Sequence, residues 1–201
     1  SMIYGNKEGI RDSLLAKLET LYDIEIPAEV FAPAELLDVL AAFTCAINRE
    51  ISIYVSRSGE VLDITIGGVS SVELKDMHLR RNTKRLSMVR CIHTHPGGNP
   101  QLSDVDISSL RAMRFDAMAA VGAKDGHATG IQAAFLGEYV GGMNRVHLTE
   151  VAPAYKLPQR AWMDAIERAD SEVLIGAPNT TKEDQERAFL VGLDSDESLL
   201  E

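Results

Sequence analysis

The sequence predicts a mixed α/β fold, because helical and strand-like patterns of apolar residues follow one another along the chain. Leucine, isoleucine and alanine recur at helical spacing in two stretches before residue 48. From residue 50 onwards, several short segments are apolar or alternate between apolar and polar side chains, which is typical of strands. We therefore expect helices to pack against a β-sheet.

Two amphipathic helices are predicted at the start of the chain. The first covers residues 7–22, where apolar side chains recur every three or four positions. The second covers residues 34–47, which have a broad apolar face, and Pro33 suits the first turn of a helix. Two later helices are predicted at 103–114 and 158–173.

Turn signals divide the strand-like segments. Ser58-Gly59 separates the first two of them, and Asp125-Gly126 is a strong hairpin signal between the last two. Both pairs are therefore expected to form β-hairpins. The predicted strands are 50–56, 61–66, 88–93, 115–123 and 128–136.

The charge balance restricts the function. The 201-residue chain has 20 basic and 30 acidic residues and a net charge of −10. This balance argues against general binding to nucleic-acid phosphates, and no sequence-specific DNA binding is expected. The sequence has no apolar run long enough for a membrane span and no export leader at its start, so a cytoplasmic protein is expected.

Chemistry is concentrated in residues 91–106, Cys-Ile-His-Thr-His-Pro-Gly-Gly-Asn-Pro-Gln-Leu-Ser-Asp-Val-Asp. Strand residues two positions apart point to the same face, so His93 and His95 are predicted to project side by side. Pro96 ends the strand and the glycine-rich loop turns the chain back, which brings Asp106 to the same place. Two imidazoles and a carboxylate leave a fourth position for water, as in catalytic zinc sites.

The other cysteine and histidine residues are not expected to bind the metal. Cys91 shares the strand parity of the two ligands, but it lies further back along the strand, toward the core. Two cysteines are also too few for a disulfide framework. His78, His127 and His147 are expected at the surface.

Zinc-activated water needs a base that is not itself a ligand. Glu50, at the beginning of a predicted strand, is the chosen candidate. Glu60 in the hairpin turn and Glu73 in a poorly defined segment are weaker candidates. Ser103 has two alternative roles, which one hydroxyl can combine: it donates to an oxyanion at the metal, or it caps the following helix.

The spacing His-x-His-Pro, six residues, Ser-x-x-Asp resembles the signature of the JAMM (MPN+) zinc metalloproteases. Its positions are occupied by His93, His95, Pro96, Ser103 and Asp106. The RadC-like branch is most similar, since Asn48-Arg49-Glu50 resembles its glutamate region. The resemblance implies Zn²⁺, a curved sheet flanked by helices on a cytidine-deaminase-related scaffold, and cleavage of peptide or isopeptide bonds in a peptide or protein substrate. The Pro-Cys-x-x-Cys pair of the deaminases is absent, which argues against deamination.

A second resemblance covers more of the chain. The segments 4–11, 48–50, 90–96 and 186–192 together resemble the N-terminal extension of clostridial-type HflX proteins, which are ribosome-associated GTPases. This resemblance implies ribosome association through a longer parent protein. No Gly-x-x-x-x-Gly-Lys-Ser/Thr motif is present, so this chain is not expected to hydrolyse GTP. A non-catalytic or regulatory module of such a GTPase is the alternative to a metallohydrolase.

The sequence predicts one large domain followed by a short segment of different character. Residues 1–175 are expected to form one metal-binding domain, with the helices of 7–47 at its start. Residues 176–201 are expected to be a linker and the truncated start of a following HflX-type domain. Seven acidic and two basic residues fall within 181–201, and a disordered acidic tail is the alternative.

A basic run precedes the strand that carries the histidines. Residues 78–90 contain five lysines and arginines and few apolar residues, which favours a solvated loop. In the alternative, Arg80, Arg81 and Arg85 line the rim of the site. They would then attract an acidic substrate tail, or ribosomal RNA if the second resemblance holds.

Overall fold

The computed structural model describes residues 2–67, 88–156 and 162–168, which form a seven-stranded mixed sheet flanked by helices. This confirms the mixed α/β class. The strands are β1 (Ile3–Gly5), β2 (Ile51–Ser56), β3 (Val61–Ile66), β4 (Val89–Pro96), β5 (Ala117–Lys124), β6 (His127–Val140) and β7 (Met143–Leu148). The helices are α1 (Asp12–Glu19), α2 (Ala34–Ile47) and α3 (Asp104–Met113), with 3₁₀ turns at Thr20–Asp23 and Ala154–Lys156 and a helical segment at 162–168.

The strand order β1-β3-β2-β4-β5-β6-β7 places β4 in the middle of the sheet. β4 runs antiparallel to β2 and parallel to β5, and α3 connects β4 to β5. A parallel pair requires such a crossover, because the chain must return to the same edge of the sheet. The crossover brings the first turn of α3 next to the carboxyl end of β4.

Helices cover both faces of the sheet. On one face, α1, α2 and the segment 162–168 bury apolar side chains that include Leu40 and Trp162. On the other face, α3 packs Leu110 against a cluster that includes Met118 of β5. Successive residues of β4 therefore enter two different interiors, since strand side chains alternate between the faces.

The first helix begins later than the sequence pattern predicts. The prediction covered 7–22, whereas α1 spans Asp12–Glu19 and a 3₁₀ turn follows it. Residues 7–10 form a turn, in which the amide of Ile10 donates to the carbonyl of Lys7 at 3.1 Å. Gly9 has a φ of 75°, which a right-handed helix does not accept. α2 has the predicted bounds.

The predicted strands are confirmed, and two others were not predicted. Asp125 and Gly126 both have positive φ, of 53° and 81°, as a two-residue hairpin turn requires. β6 continues beyond the predicted 128–136, through an irregularity between Leu136 and Tyr139. β1 is only three residues long, and β7 shows no regular alternation of burial, so neither gives a strand pattern.

Some predictions lie outside the described residues. The helix predicted at 158–173 is described only at 162–168, where it is helical. The segment 176–201 and the rim candidates Arg80, Arg81 and Arg85 are not among the described residues. Within the described ranges, the helices are too short or too polar to cross a membrane.

Arg90 anchors β4 to the surrounding elements. Its guanidinium is fully buried and donates to the carbonyls of Phe31 at 2.9 Å, Ser56 at 2.8 Å and Val30 at 3.2 Å. It also lies 5.0 Å from the ring centroid of Trp162, within cation–π distance. Burial lowers the pKa of Arg90 to about 10, against the opposing effect of Asp116, so the side chain stays charged at neutral pH.

We expect Arg90→Met to lower the free energy of unfolding by about 3 kcal/mol or more, because three carbonyls lose their donor. Urea unfolding followed by circular dichroism measures this change. Arg145 is exposed on β7, so Arg145→Met serves as the control and should cost less than about 0.5 kcal/mol. Equal losses for the two variants would contradict the anchoring role.

Candidate metal centre

The carboxyl end of β4 presents two histidines to the same side of the sheet. His93 and His95 face the α3 side, and their ring centroids are 4.8 Å apart. The side chain of His93 is 1% exposed and that of His95 is 17% exposed. The pair is therefore closed toward the protein interior and open on the side of His95.

The first turn of α3 supplies the third side chain through a reciprocal cap. The hydroxyl of Ser103 accepts the amide of Asp106 at 3.1 Å, and the carboxylate of Asp106 accepts the amide of Ser103 at 2.9 Å. This capping box satisfies two amides at the start of the helix. The N-cap role predicted for Ser103 is confirmed, and the same hydrogen bonds fix the position of the Asp106 carboxylate.

Two imidazole nitrogens and the two oxygens of one carboxylate converge at this point. The Nε2 atoms of His93 and His95 are 3.0 Å apart. Asp106 places Oδ1 at 3.2 Å from Nε2 of His93 and Oδ2 at 3.4 Å from Nε2 of His95. Zn²⁺ bonds of about 2.0–2.1 Å in a tetrahedron require ligand atoms about 3.3 Å apart. The three distances are close to this value, although they end on different oxygens of Asp106, and one ligand atom from each residue lies within 4.8 Å of the others. His93, His95 and Asp106 therefore form a group that could hold a metal ion.

Hydrogen bonding outside the group orients one of the imidazoles. Nδ1 of His95 lies 3.0 Å from the carbonyl oxygen of Asn99, which suits donation by Nδ1–H and leaves Nε2 free for a metal. Nδ1 of His93 is buried and meets no partner among the described residues. Only His95 therefore shows the outer hydrogen bond that is typical of a metal-bound histidine.

The loop that carries Asn99 packs closely against β5. Gly122 is paired with His95 in the β4–β5 register, and a Cβ at Gly122 would lie 2.5 Å from the carbonyl oxygen of Gly98. The hydroxyl of Thr129 on β6 donates to that same carbonyl at 2.7 Å. A glycine is therefore required at position 122 for the loop to reach its place beside the histidines.

The electrostatics of the group favour a charged carboxylate. Burial alone would raise the pKa of Asp106, but hydrogen bonds from His93 and His95 lower it far below its ordinary range. The hydrogen bond to Asp106 raises the pKa of His95, with desolvation opposing it. The raised pKa of His95 favours a proton beside the Asp106 carboxylate, and a bound cation would take the place of that proton.

Cys91 is not part of the group, as the sequence predicted. It is fully buried in the cluster beneath α3, and burial raises the pKa of its thiol well above the ordinary range. The group of potential ligands found among the described residues contains only His93, His95 and Asp106. A thiolate ligand is therefore not offered at this position.

Glu50 lies next to the group, at the entry to β2. The last β2–β4 pair joins Ser52 to His93, and Glu50 lies two residues before that pair. The half-buried carboxylate of Glu50 contributes to the raised pKa of His95, after the larger effects of Asp106, desolvation and Asn99. Glu50 is thus placed as an acidic neighbour, outside the group of potential ligands.

The residues before Glu50 fix the chain entering β2. Asn48 ends α2 in the left-handed conformation with a φ of 53°. The guanidinium of Arg49 donates to the carbonyls of Asn6 at 3.0 Å and Glu8 at 2.7 Å. The Asn-Arg-Glu sequence therefore combines a helix end, an anchor to the N-terminal loop and the acidic side chain.

Among the residues that the structure describes, Glu60, His127 and His147 are not part of the group. Glu60 is exposed at the other end of the β2–β3 hairpin, and His127 is exposed at the start of β6. His147 lies 3.1 Å from the carboxylate of Glu138, on the β6–β7 pair. His78 and Glu73 lie outside the described residues.

Comparisons of the chain with protein-family models, with curated proteins and with solved structures found no match. The interpretation of the site therefore depends on the geometry of its own residues.

We expect the purified protein to bind one equivalent of zinc, and Asp106→Asn to weaken binding about 100-fold or more, because a direct ligand should matter at least as much as an outer hydrogen bond. Asparagine keeps an oxygen for the amide of Ser103, so the helix cap survives. Competition with a chromogenic chelator measures the affinity.

Ser103→Ala is the matched control for Asp106→Asn. It removes the other half of the capping box and should cost about 1 kcal/mol of stability while the zinc affinity stays within about threefold. If Ser103→Ala lost as much zinc affinity as Asp106→Asn, the loss would come from the broken helix cap and not from a missing metal ligand.

We expect the zinc affinity to fall as the pH is lowered through the raised pKa of His95. A metal ligand must be neutral imidazole, so protons compete with the metal below that pKa, by about tenfold per pH unit for each proton displaced. Isothermal titration in buffers of different ionisation enthalpy measures the protons released. Binding without proton release below the ordinary pKa of histidine would contradict the assignment.

Proposed function

We propose that this chain is a zinc-dependent hydrolase of the JAMM type that cleaves peptide or isopeptide bonds. The observation that carries the proposal is the group of His93, His95 and Asp106 at the end of a central strand. The two Nε2 atoms are 3.0 Å apart and the two carboxylate oxygens lie 3.2 and 3.4 Å from them, which supports one shared ion with a fourth position left for water. The sheet with helices on both faces agrees with the scaffold that the sequence resemblance implies.

The donor set favours zinc over the harder divalent cations. Mg²⁺ and Ca²⁺ prefer shells of oxygen atoms, whereas two imidazoles with one carboxylate are typical of zinc. Structural zinc sites usually have four protein ligands, commonly with cysteine, and Cys91 is not placed to serve. When bound, Zn²⁺ polarises a carbonyl oxygen and makes water acidic enough to react near neutral pH.

Glu50 is proposed as the general base and acid. It lies outside the group of potential ligands and close enough to His95 to contribute to the raised pKa of that imidazole. Its carboxylate is therefore proposed to accept a proton from water and later return that proton to the leaving amine. Its half-buried position keeps it in contact with solvent. Arg49 and Asn48 hold the backbone on its N-terminal side.

Ser103 is proposed to support the oxyanion. Its hydroxyl oxygen accepts the amide of Asp106 at 3.1 Å, so the hydroxyl proton is directed elsewhere. Ser103 is exposed at the mouth of the site, where a substrate carbonyl can reach it. Capping and donation to an oxyanion are therefore compatible in this residue.

We expect Glu50→Gln to keep zinc and to lower hydrolysis by about 10²–10⁴-fold, because glutamine preserves the shape of the side chain without the basic group. Glu60→Gln, at the exposed far end of the same hairpin, is the control and should leave both properties unchanged. The assay uses quenched-fluorescence peptide libraries and isopeptide-linked modifier substrates with zinc-loaded protein.

The same assay separates the enzyme from a regulatory module. If wild-type protein binds zinc stoichiometrically and cleaves no peptide, isopeptide or modifier substrate, the non-catalytic alternative replaces the hydrolase. If wild type and Glu50→Gln cleave equally well, the role of Glu50 is wrong even though the hydrolase stands.

A further inference from the structure

Thr94 separates the two histidines and faces the opposite interior. It is fully buried, and so is Thr44 on α2. The hydroxyls of the two threonines share a short hydrogen bond. The hydroxyl of Thr94 also accepts the amide of Ile51 at 2.9 Å. A polar link thus crosses from α2 through β4 to the start of β2, within the apolar cluster of this face.

This link replaces a rung of the sheet. Backbone pairing between β2 and β4 runs from Ser56 with Val89 to Ser52 with His93. At the next position, the amide of Ile51 donates to a side chain of β4. The pairing of two backbones therefore gives way to a side-chain contact at Ile51, the residue that follows Glu50.

The peptide group that joins Glu50 to Ile51 is held from both sides. Its carbonyl accepts the amide of Gly67 at 2.8 Å, and its N–H donates to Thr94 at 2.9 Å. A peptide group is planar, so two hydrogen bonds on its opposite ends fix its orientation and hence the direction in which the Glu50 side chain leaves the backbone. Thr94 lies between His93 and His95 in the chain. The hydrogen bond from Ile51 to Thr94 therefore also fixes the distance between the Glu50–Ile51 peptide and the two histidines.

We propose that the Thr44–Thr94 hydroxyl pair is a positioning device that sets Glu50 against His93 and His95. This inference rests on the proposed function of Glu50. Thr94 is a positioning residue: its hydroxyl faces away from the site and acts through the Glu50–Ile51 peptide. Threonine suits this task because its branched side chain has few rotamers in a strand while its hydroxyl bonds two partners.

The first experiment measures amide hydrogen exchange in the metal-free protein by NMR. We expect Thr94→Val to speed exchange at Ile51 about tenfold, because the buried amide loses its acceptor. Thr94→Ser should stay within about threefold of wild type. Thr65→Val is the matched control: Thr65 is buried on β3, its hydroxyl meets no partner among the described residues, and its replacement should leave Ile51 unchanged.

The second experiment asks whether Thr94 acts through Glu50. The visible spectrum of the Co²⁺-loaded protein is followed against pH. The negative charge of Glu50 opposes proton loss in the site, so Glu50→Gln should lower the pH midpoint. Thr94→Val should lower it in the same direction, Thr94→Ser should restore it, and Thr94→Val should add nothing in the Glu50→Gln background.

The outcomes separate the two proposals. Unchanged exchange at Ile51 in Thr94→Val, or a full additional midpoint shift in the Glu50→Gln background, would overturn the positioning role. Failure to bind Co²⁺ would overturn the proposed function, while exchange at Ile51 would still decide whether Thr94 holds the peptide. If Thr94→Val does not fold, Thr94→Ala replaces it, because alanine also removes the acceptor hydroxyl, and exchange at Ile51 should again rise about tenfold.

Discussion

The carboxylate of Asp106 belongs to two structures at once, and the geometry of the site depends on this double role. Through the amide of Ser103 it closes the first turn of α3, and through its two oxygens it meets Nε2 of His93 and of His95. A carboxylate free of the helix would be mobile and costly to order. Because the capping box already orders this carboxylate, the first turn of α3 holds a negative charge at the end of β4.

β4, the strand that bears the two histidines, has side chains of different kinds on its two faces. On one face, Cys91, His93 and His95 run from a closed apolar cluster to the open edge. On the other face, Arg90 and Thr94 place polar groups in the main core. Arg90 donates to a backbone carbonyl and lies against the ring of Trp162, and Thr94 accepts a backbone amide. Satisfied buried polar groups rigidify a core, whereas unpaired ones are costly. The hydrogen bonds of Arg90 and Thr94 therefore hold β4 in place on the face opposite His93 and His95.

Local patterns in the sequence were sufficient for α2, the two hairpins, the cap at Ser103 and the grouping of His93, His95 and Asp106. Each of these depends on residues close together in the chain or on strand parity. The late start of α1 depends on a turn around Gly9, which helical spacing alone does not reveal. The contact between Thr44 and Thr94 joins residues 50 positions apart, and no local pattern indicates it. Glu50 could be selected by type and strand position, but the β2–β4 pairing near it joins Ser52 to His93, residues far apart in the chain, which no local pattern indicates.

The most direct test of the account is X-ray absorption at the zinc edge of the metal-loaded protein. The ligand trio predicts a single shell of about four nitrogen and oxygen atoms at about 2.0–2.1 Å, with the outer-shell scattering of two imidazoles. Loss of one imidazole contribution in His95→Ala would identify the strand end as its source. A sulfur atom at about 2.3 Å, or a six-oxygen shell without imidazole, would contradict the assignment of His93, His95 and Asp106 as the metal ligands.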